Sequence, residues 1–277
     1  MRAFRIAYDG RPYHGFQRQP DLPTVESALF EALCELGVVD GPDAVPPGYA
    51  AAGRTDAGVS AVAQSVAFEC PEWLTPRAFN GQLPAHVRAW ASADVPADFH
   101  ATYDATSRAY EYHLYAPGAD PDLAAEAMAR LEGTHDFANL TAASVDDTVR
   151  TLQTARVEQA GDFLVFSVRA DGFLWELVRR LGSLVRAVAT GEAPIGKVDR
   201  VLDPAPVPGH EGVPPAAPTG LVLVDATYPG VTFESDARGV ASVREVFETK
   251  RAEAATVARA SGCVENWVGR THETDVK

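Results

Sequence analysis

Apolar and polar residues alternate from Arg2 to Tyr8, with Phe4, Ile6 and Tyr8 on one face. That period of two predicts a strand, which Asp9-Gly10 ends. Arg11 to Pro20 then reads as a loop rich in Arg, His, Tyr, Phe and Gln. Thr24 is placed to cap a helix running to Leu36, with Val25, Ala28, Leu29, Ala32, Leu33 and Leu36 as its apolar stripe. Gly37 to Gly48 reads as a connection. Alternation returns at Ala61 to Glu69, a strand with Val62, Gln64, Val66 and Phe68 on one face and Ala61, Ala63, Ser65, Ala67 and Glu69 on the other. A short helix over Thr75 to Leu83 and a strand over Val87 to Ala93 follow.

The later chain repeats this mixture. Arg108, Tyr110, Tyr112 and Leu114 share one face of a predicted strand, and Pro121 to Leu131 reads as a helix. Val149 to Glu158 and Phe163 to Ala170 form a predicted hairpin. Leu174, Leu177, Val178, Leu181, Leu184, Val185 and Val188 make a helical core stripe. Arg179 falls off that stripe, on a side from which it could reach a cleft. Pro194 to Leu202 predicts a helix, Pro204 to Pro218 an exposed Pro/Gly-rich loop, Gly220 to Tyr228 a strand, and Ser242 to Ala260 a further helix. No internal repeat stands out.

Composition narrows the class. The chain has 277 residues, 46% of them hydrophobic, enough for a sizeable core in one large domain or two smaller ones. No stretch approaches a membrane-spanning helix, and Met1 to Arg5 runs straight into a strand pattern without signal-peptide architecture. The three cysteines, Cys34, Cys70 and Cys263, are scattered, which suits a reducing cytoplasm. No Cys-x-x-Cys or His-x-x-x-His pair offers zinc-ligand spacing.

Charge changes the picture more. Lys+Arg is 24 against 38 Asp+Glu, a formal charge of −14, and the only lysines are Lys197, Lys250 and Lys277. A basic surface is the ordinary footprint of RNA binding, so charge alone argues against an RNA partner. An acidic, lysine-poor surface is also what a protein working in concentrated salt carries. Net charge bears on solubility and association rather than on fold, so the acidity is read as environmental and the motifs decide function.

The most informative stretch is Gly53-Arg54-Thr55-Asp56-Ala57-Gly58-Val59-Ser60-Ala61. Taken by itself, an Arg-Thr-Asp between glycines is most often an Asx turn beside a solvated arginine. It feeds a predicted strand, however, and loops so mounted tend to carry catalytic groups. The stretch resembles the signature of the TruA-type tRNA pseudouridine synthases, which have His where this chain has Ser60. Further matches follow in the family's order. Tyr8-Asp9-Gly10 with Tyr13-His14-Gly15-Phe16-Gln17-Arg18-Gln19 resembles the first family motif. Asp98-Phe99-His100-Ala101 leading to Arg108-Ala109-Tyr110-Glu111-Tyr112 resembles the next. Gly133-Thr134-His135-Asp136-Phe137 resembles another, in which a loop-fixing role for His135 is preferred over catalysis. Phe173 with Val178-Arg179 resembles the last, with Leu177 in place of Met, Arg180 in place of Asn, and Gly182 shifted by one. The resemblance covers roughly residues 3 to 230.

The resemblance implies an α+β pseudouridine synthase fold. Two similar α/β halves, 1–103 and 104–277, would join mixed, mainly antiparallel sheets around a central cleft, with a helical extension at the C-terminus. It implies isomerisation of uridine to pseudouridine in the anticodon arm of tRNA, at positions 38 to 40, by a cytoplasmic homodimer. No external bond energy is needed, so no cofactor or metal is implied. Asp56 would be the nucleophile, attacking C6 of the base or C1′ of the ribose, with Arg179 holding it charged. Tyr110 would stack on the uracil and assist proton removal from C5. Arg54, Thr55, Gln17 and Arg18 would bind substrate around a flipped-out base. The alternatives are a catalytically idle RNA-binding or RNA-chaperone protein on the same fold, and a glycosidase, which wants two paired carboxylates where only Asp56 is prominent.

Overall fold

The computed structural model describes residues 1–142 and 145–274, with the backbone alone over 269–274. In its N-terminal part, β1 (Arg2–Tyr8) leads to α1 (Val25–Glu35), a two-residue β2 (Ala50–Ala51), β3 (Ser60–Phe68), α2 (Pro76–Phe79) and β4 (Val87–Asp94). Then come β5 (Ser107–Tyr115), α3 (Pro121–Leu131), β6 (Gly133–Asp136), β7 (Val149–Ala160) and β8 (Phe163–Ala170). The chain ends with α4 (Leu177–Ala189), α5 (Gly196–Leu202), β9 (Leu221–Thr227), β10 (Glu234–Ser235) and α6 (Ala237–Thr274).

The strands form one sheet in the order β10-β4-β1-β3-β9-β5-β8-β7-β6, with β2 beside β3. Two trios build it. β1, α1, β3, α2 and β4 place the first strand between the other two, and β5, α3, β8, α4 and β9 do the same. The trios meet where β3 runs parallel to β9, pairing Ser60 with Val222 and Ala61 with Leu223. The other strand pairs among the described residues are antiparallel.

Local chemistry fixes the helices. Thr24 and Ser27 cap α1 reciprocally, Thr24 Oγ1 accepting the Ser27 amide at 3.2 Å and Ser27 Oγ accepting the Thr24 amide at 3.0 Å. Asp120 accepts from the Asp122 and Leu123 amides at the start of α3, where Pro121 occupies the first helical position. The core of the N-terminal trio is aromatic, with Phe4 stacked on Phe68 at 5.4 Å and Phe30 edge-on to Tyr49 at 4.8 Å. The second trio packs aliphatic residues, among them Leu164, Leu177, Leu181, Leu184 and Val185. Each fully buried leucine contributes about 1.5–3 kcal/mol relative to exposure. Tyr110 packs against both cores.

Several sequence expectations are revised. β3 is buried on both faces from Ala63 onward, with Val66 and Phe68 in the aromatic core and Ala67 in a second cluster with Ala3, Phe99 and Tyr228, while Val62 is exposed. α2 stops after one turn, where the Asn80 side chain bonds both the carbonyl (2.7 Å) and the amide (2.8 Å) of Ala89. The loop over 204–218 is not wholly exposed: Val213 is buried, and the carbonyls of Val213, Ala216 and Ala217 accept bonds from Arg180, Arg179 and Tyr112. Gly182 sits directly on Tyr112, where an added Cβ would lie 2.7 Å from the ring. α6 extends beyond the predicted span and packs not on its own half but on β4, with β10 pairing along the same strand. Residues 275–277 of the predicted tail lie outside the described residues.

Candidate active site

The loop that carries Asp56 enters β3 and is held from several sides. The Gly53 carbonyl accepts from Gln64 Nε2 at 2.8 Å, and the Thr55 carbonyl accepts the Phe16 amide at 3.0 Å. Thr55 Oγ1 and the Tyr8 phenol share a buried hydrogen bond of 2.7 Å. The Gly58 amide donates to the Tyr13 carbonyl at 3.3 Å. The first loop thus lies backbone-to-backbone against the second, and Gly10 permits it, since a Cβ there would run into the Val59 carbonyl. From the other trio, Arg108 spans the join: Nη2 and Nε donate to the Ala52 carbonyl at 2.8 and 3.1 Å, and Nη1 donates to the Asp171 carbonyl at 2.8 Å.

Asp56 opens into a cleft of about 1140 Å³ between the two trios. Arg179 reaches it from the first turn of α4, with Nη1 3.3 Å from Asp56 Oδ2. The guanidinium is fixed from behind by Nε donating to the Ala216 carbonyl at 2.8 Å. Burial pushes the Asp56 carboxyl above its ordinary pKa; Arg179 and the Trp175 side chain pull the other way, and the nearby Glu176 adds to the rise. Arg179 is therefore in place to stabilise the carboxylate, but it does not outweigh desolvation. Tyr110 is half-buried, edge-on to Phe173 with ring centroids 5.2 Å apart and planes at 89°. Burial, then the Asp56 charge, pushes its phenol well above its ordinary range, against the opposing charge of Arg108.

The remaining predicted substrate residues divide. Arg54 and Gln17 are exposed and line the cleft. Thr55 also borders it but is buried, with its hydroxyl bonded to Tyr8. Arg18 is turned away: it lies over the Phe30 ring at 5.1 Å and reaches the Pro42 carbonyl and Asp43. His135 bonds the Glu132 carbonyl at 3.0 Å and does not line the cleft.

The structure adds residues that the sequence did not single out. Glu176 bonds Arg179 Nη1 at 3.3 Å and Arg180 Nη2 at 2.8 Å, so it and Asp56 share one guanidinium nitrogen. The readable signal was an acid three and four residues before two arginines. His100 stacks on Tyr103 at 4.2 Å, and Tyr103 is 82% exposed on the cleft wall. Trp175, 57% exposed, faces the same space, as does Arg150. Exposed aromatic and guanidinium planes are the groups on which unstacked bases are held. Among the described residues no cluster of three or more His, Cys, Asp or Glu is arranged to hold a metal ion, and no helix is long and apolar enough to cross a membrane.

Residues 127–229 match the family described as tRNA pseudouridine synthase. Over 271 residues the chain is 55% identical to a tRNA pseudouridine synthase A of Haloarcula marismortui, covering 94% of this chain and 97% of that protein. It is 57% identical over 268 residues to the protein of that name from Natronomonas pharaonis, covering 95% and 98%. To that of Halobacterium salinarum it is 54% identical over 264 residues, covering 94% and 97%. All three sources are halophilic archaea.

Proposed function

The chain belongs to the tRNA pseudouridine synthase family, and we propose that Asp56 is the nucleophile with which it isomerises uridine to pseudouridine in tRNA. The observation that carries this reading is the Asp56 carboxylate on a Gly-bounded loop of one trio, in contact at 3.3 Å with Arg179 of the other where both line an open cleft. The reaction breaks the bond from C1′ to N1 and forms one from C1′ to C5. The C5 proton leaves and N1 takes one up, so the atoms balance without an external reactant. Asp56 attacks C6 or C1′ in its ionised form, and Arg179 supplies the charge that stabilises that form against burial. Tyr110, neutral because its phenol is hard to ionise, stacks on the uracil and relays a proton by giving one as it gains one. A uridine inside a stem cannot reach Asp56 and is flipped out. Arg54 at the rim holds the flipped nucleotide's phosphate or fills its place, and Gln17 lies along the same wall.

The halves 1–103 and 104–277 are read as the two sides of this cleft. On the family pattern the enzyme works as a homodimer in the cytoplasm, on the anticodon stem-loop at positions 38 to 40. The halophilic sources of the relatives support the reading of the −14 charge as an adaptation to salt.

The test is Asp56→Asn, which keeps shape and hydrogen-bonding capacity but removes the nucleophile. Tritium release from C5-labelled uridine in tRNA should fall to background while tRNA binding survives. Substantial residual turnover would overturn the assignment.

A further inference from the structure

We infer that Glu176 is a positioning residue that sets the basicity of Asp56 by competing with it for Arg179. The inference rests on the reading of Asp56 as nucleophile. Its basis is geometric: Arg179 Nη1 lies 3.3 Å from both Asp56 Oδ2 and Glu176 Oε1. One guanidinium nitrogen serving two carboxylates gives neither of them the bidentate fork that holds a carboxylate most firmly. Arg179 Nε is committed to the Ala216 carbonyl at 2.8 Å, so the guanidinium cannot swing wholly to either acid.

Glu176 is itself fixed. Its Oε2 accepts from Arg180 Nη2 at 2.8 Å, and Arg180 Nη1 is bound to the Val213 carbonyl at 2.7 Å. All four side chains of the cluster are largely withdrawn from water, with 14 to 21% of each exposed. At that burial, charge–charge effects pass between neighbours with little screening.

The backbone gives an independent sign. Glu176 has φ 60° and ψ 4°, one of two non-glycine residues in the left-handed region among the described residues. A residue with a Cβ pays about 1 kcal/mol or more there, where glycine would be free, and such conformations persist where the surroundings over-determine them. Arg180 Nε is also buried without a hydrogen-bond partner. The fold accepts strain and an orphaned donor at this corner while the Glu176 carboxylate stays beside Arg179. A glycine would give the same turn without strain and without the charge.

The groups that bear on Asp56 are Arg179 and Glu176 together with the Trp175 side chain, and Tyr110 from β5, itself under the charge of Arg108. Glu176 is the acid among them, and its charge disfavours ionisation of Asp56. A carboxylate held less tightly by its cation is the more basic and more nucleophilic one. Removing the Glu176 charge leaves the Arg179 Nη1 charge uncontested beside Asp56 and lowers the pKa of Asp56, so the ionised enzyme persists to lower pH.

The experiment is the pH dependence of kcat/KM for tRNA with wild type, Glu176→Gln, Glu176→Asp and Glu176→Gly. For Glu176→Gln the acid limb should move down by at least about half a pH unit, and the plateau rate should fall roughly two- to fivefold. KM for tRNA should stay unchanged. Glu176→Asp, which keeps the charge, should keep the acid limb near its wild-type position. Glu176→Gly should move the limb as Gln does while melting higher than Gln, since the strain is gone. A folded Glu176→Gln enzyme with its acid limb at the wild-type position would overturn the inference, as would a limb that shifts equally in Glu176→Asp. The underlying reading fails separately: turnover surviving in Asp56→Asn removes the nucleophile itself, whereas an inactive Asp56→Asn beside an unmoved Glu176→Gln limb removes only the role of Glu176.

Discussion

The two strand trios share one plan, a central first strand flanked by the other two with a helix in each connection, yet they contribute opposite things to the cleft. In the first, the chain between α1 and β3 is long and holds the Asp56 loop, while the second helix, α2, is only 4 residues. In the second, β8 is entered by a tight turn from β7, while the second helix, α4, runs for 13 residues and presents Arg179. The shared parts make the sheet and, with Tyr110 of β5, the unshared parts make the site. Asp56 and Arg179, brought from opposite trios into contact at 3.3 Å, leave the cleft beside them open. Their spacing then depends on how the trios join, through the β3–β9 pair and Arg108.

Single substitutions on either side and at the seam should separate these contributions. With Asp56 itself kept, the largest effect is expected from Gly10→Ala, whose Cβ would displace the Val59 carbonyl and with it the Asp56 loop. Tritium release should fall by about a hundredfold, as a misplacement of about 1 Å can cost. A near-normal rate would show that the loop position is not set from the first motif. Next comes Tyr110→Phe at the seam where the cores meet; turnover should drop roughly tenfold or more with tRNA binding retained, in the range typical of lost proton transfer. Wild-type turnover would reduce Tyr110 to a stacking platform. Gly182→Ala acts on the second trio alone, overpacking the Tyr112 ring, and should cost about 1–3 kcal/mol in a denaturant melt with only a minor change in rate. If the rate falls as far as in Gly10→Ala, the division between scaffold and site breaks down.

The mildest perturbation acts on both trios together. At about 1 M salt the Debye length is about 3 Å, so the mutual repulsion of the 38 acids and their repulsion of tRNA are screened. Activity and melting temperature should both rise from low KCl into the molar range. A maximum of both at low salt would refute the salt-adapted reading.

The pattern of apolar positions was enough to find most strands and helices, because a period of two or of 3.6 survives wherever one face is buried. It said which residues of β3 share a face but not that both faces are buried from Ala63 onward. It also misjudged the end of α2, which is decided by the long-range Asn80–Ala89 contact. In the site, Asp56, Tyr110 and Arg179 were visible through motif resemblance, and the structure brings them to one cleft. Glu176 was hidden because its turn is set by a backbone conformation that the residue type disfavours. Arg18 sits inside a motif, yet a neighbouring aromatic ring draws it elsewhere. Tyr103 and Trp175 belong to no pattern of period, and their place on the cleft wall follows from the three-dimensional turn alone.

The tie between the two ends of the chain bears on how this protein is made. The carboxylate of Asp9, next to the glycine that seats the Asp56 loop, is held by Arg11 and by Lys250 of α6, each at 2.8 Å. Arg5 of β1 donates to the Ala226 carbonyl at 2.7 Å and pairs with Asp225 at 3.2 Å. The contacts of Lys250 with Asp9 and of Arg5 with Asp225 and Ala226 each span more than 200 residues of chain. Contacts of such sequence separation slow folding, since the loop entropy is lost before the contact forms. On the ribosome the first trio emerges early but lacks β9 along one edge, and β10 and α6 on the other side. Strand edges left open in this way are where intermediates aggregate. A nascent chain therefore carries the complete Asp56 loop long before β9 and the last of the cleft-lining residues have been made.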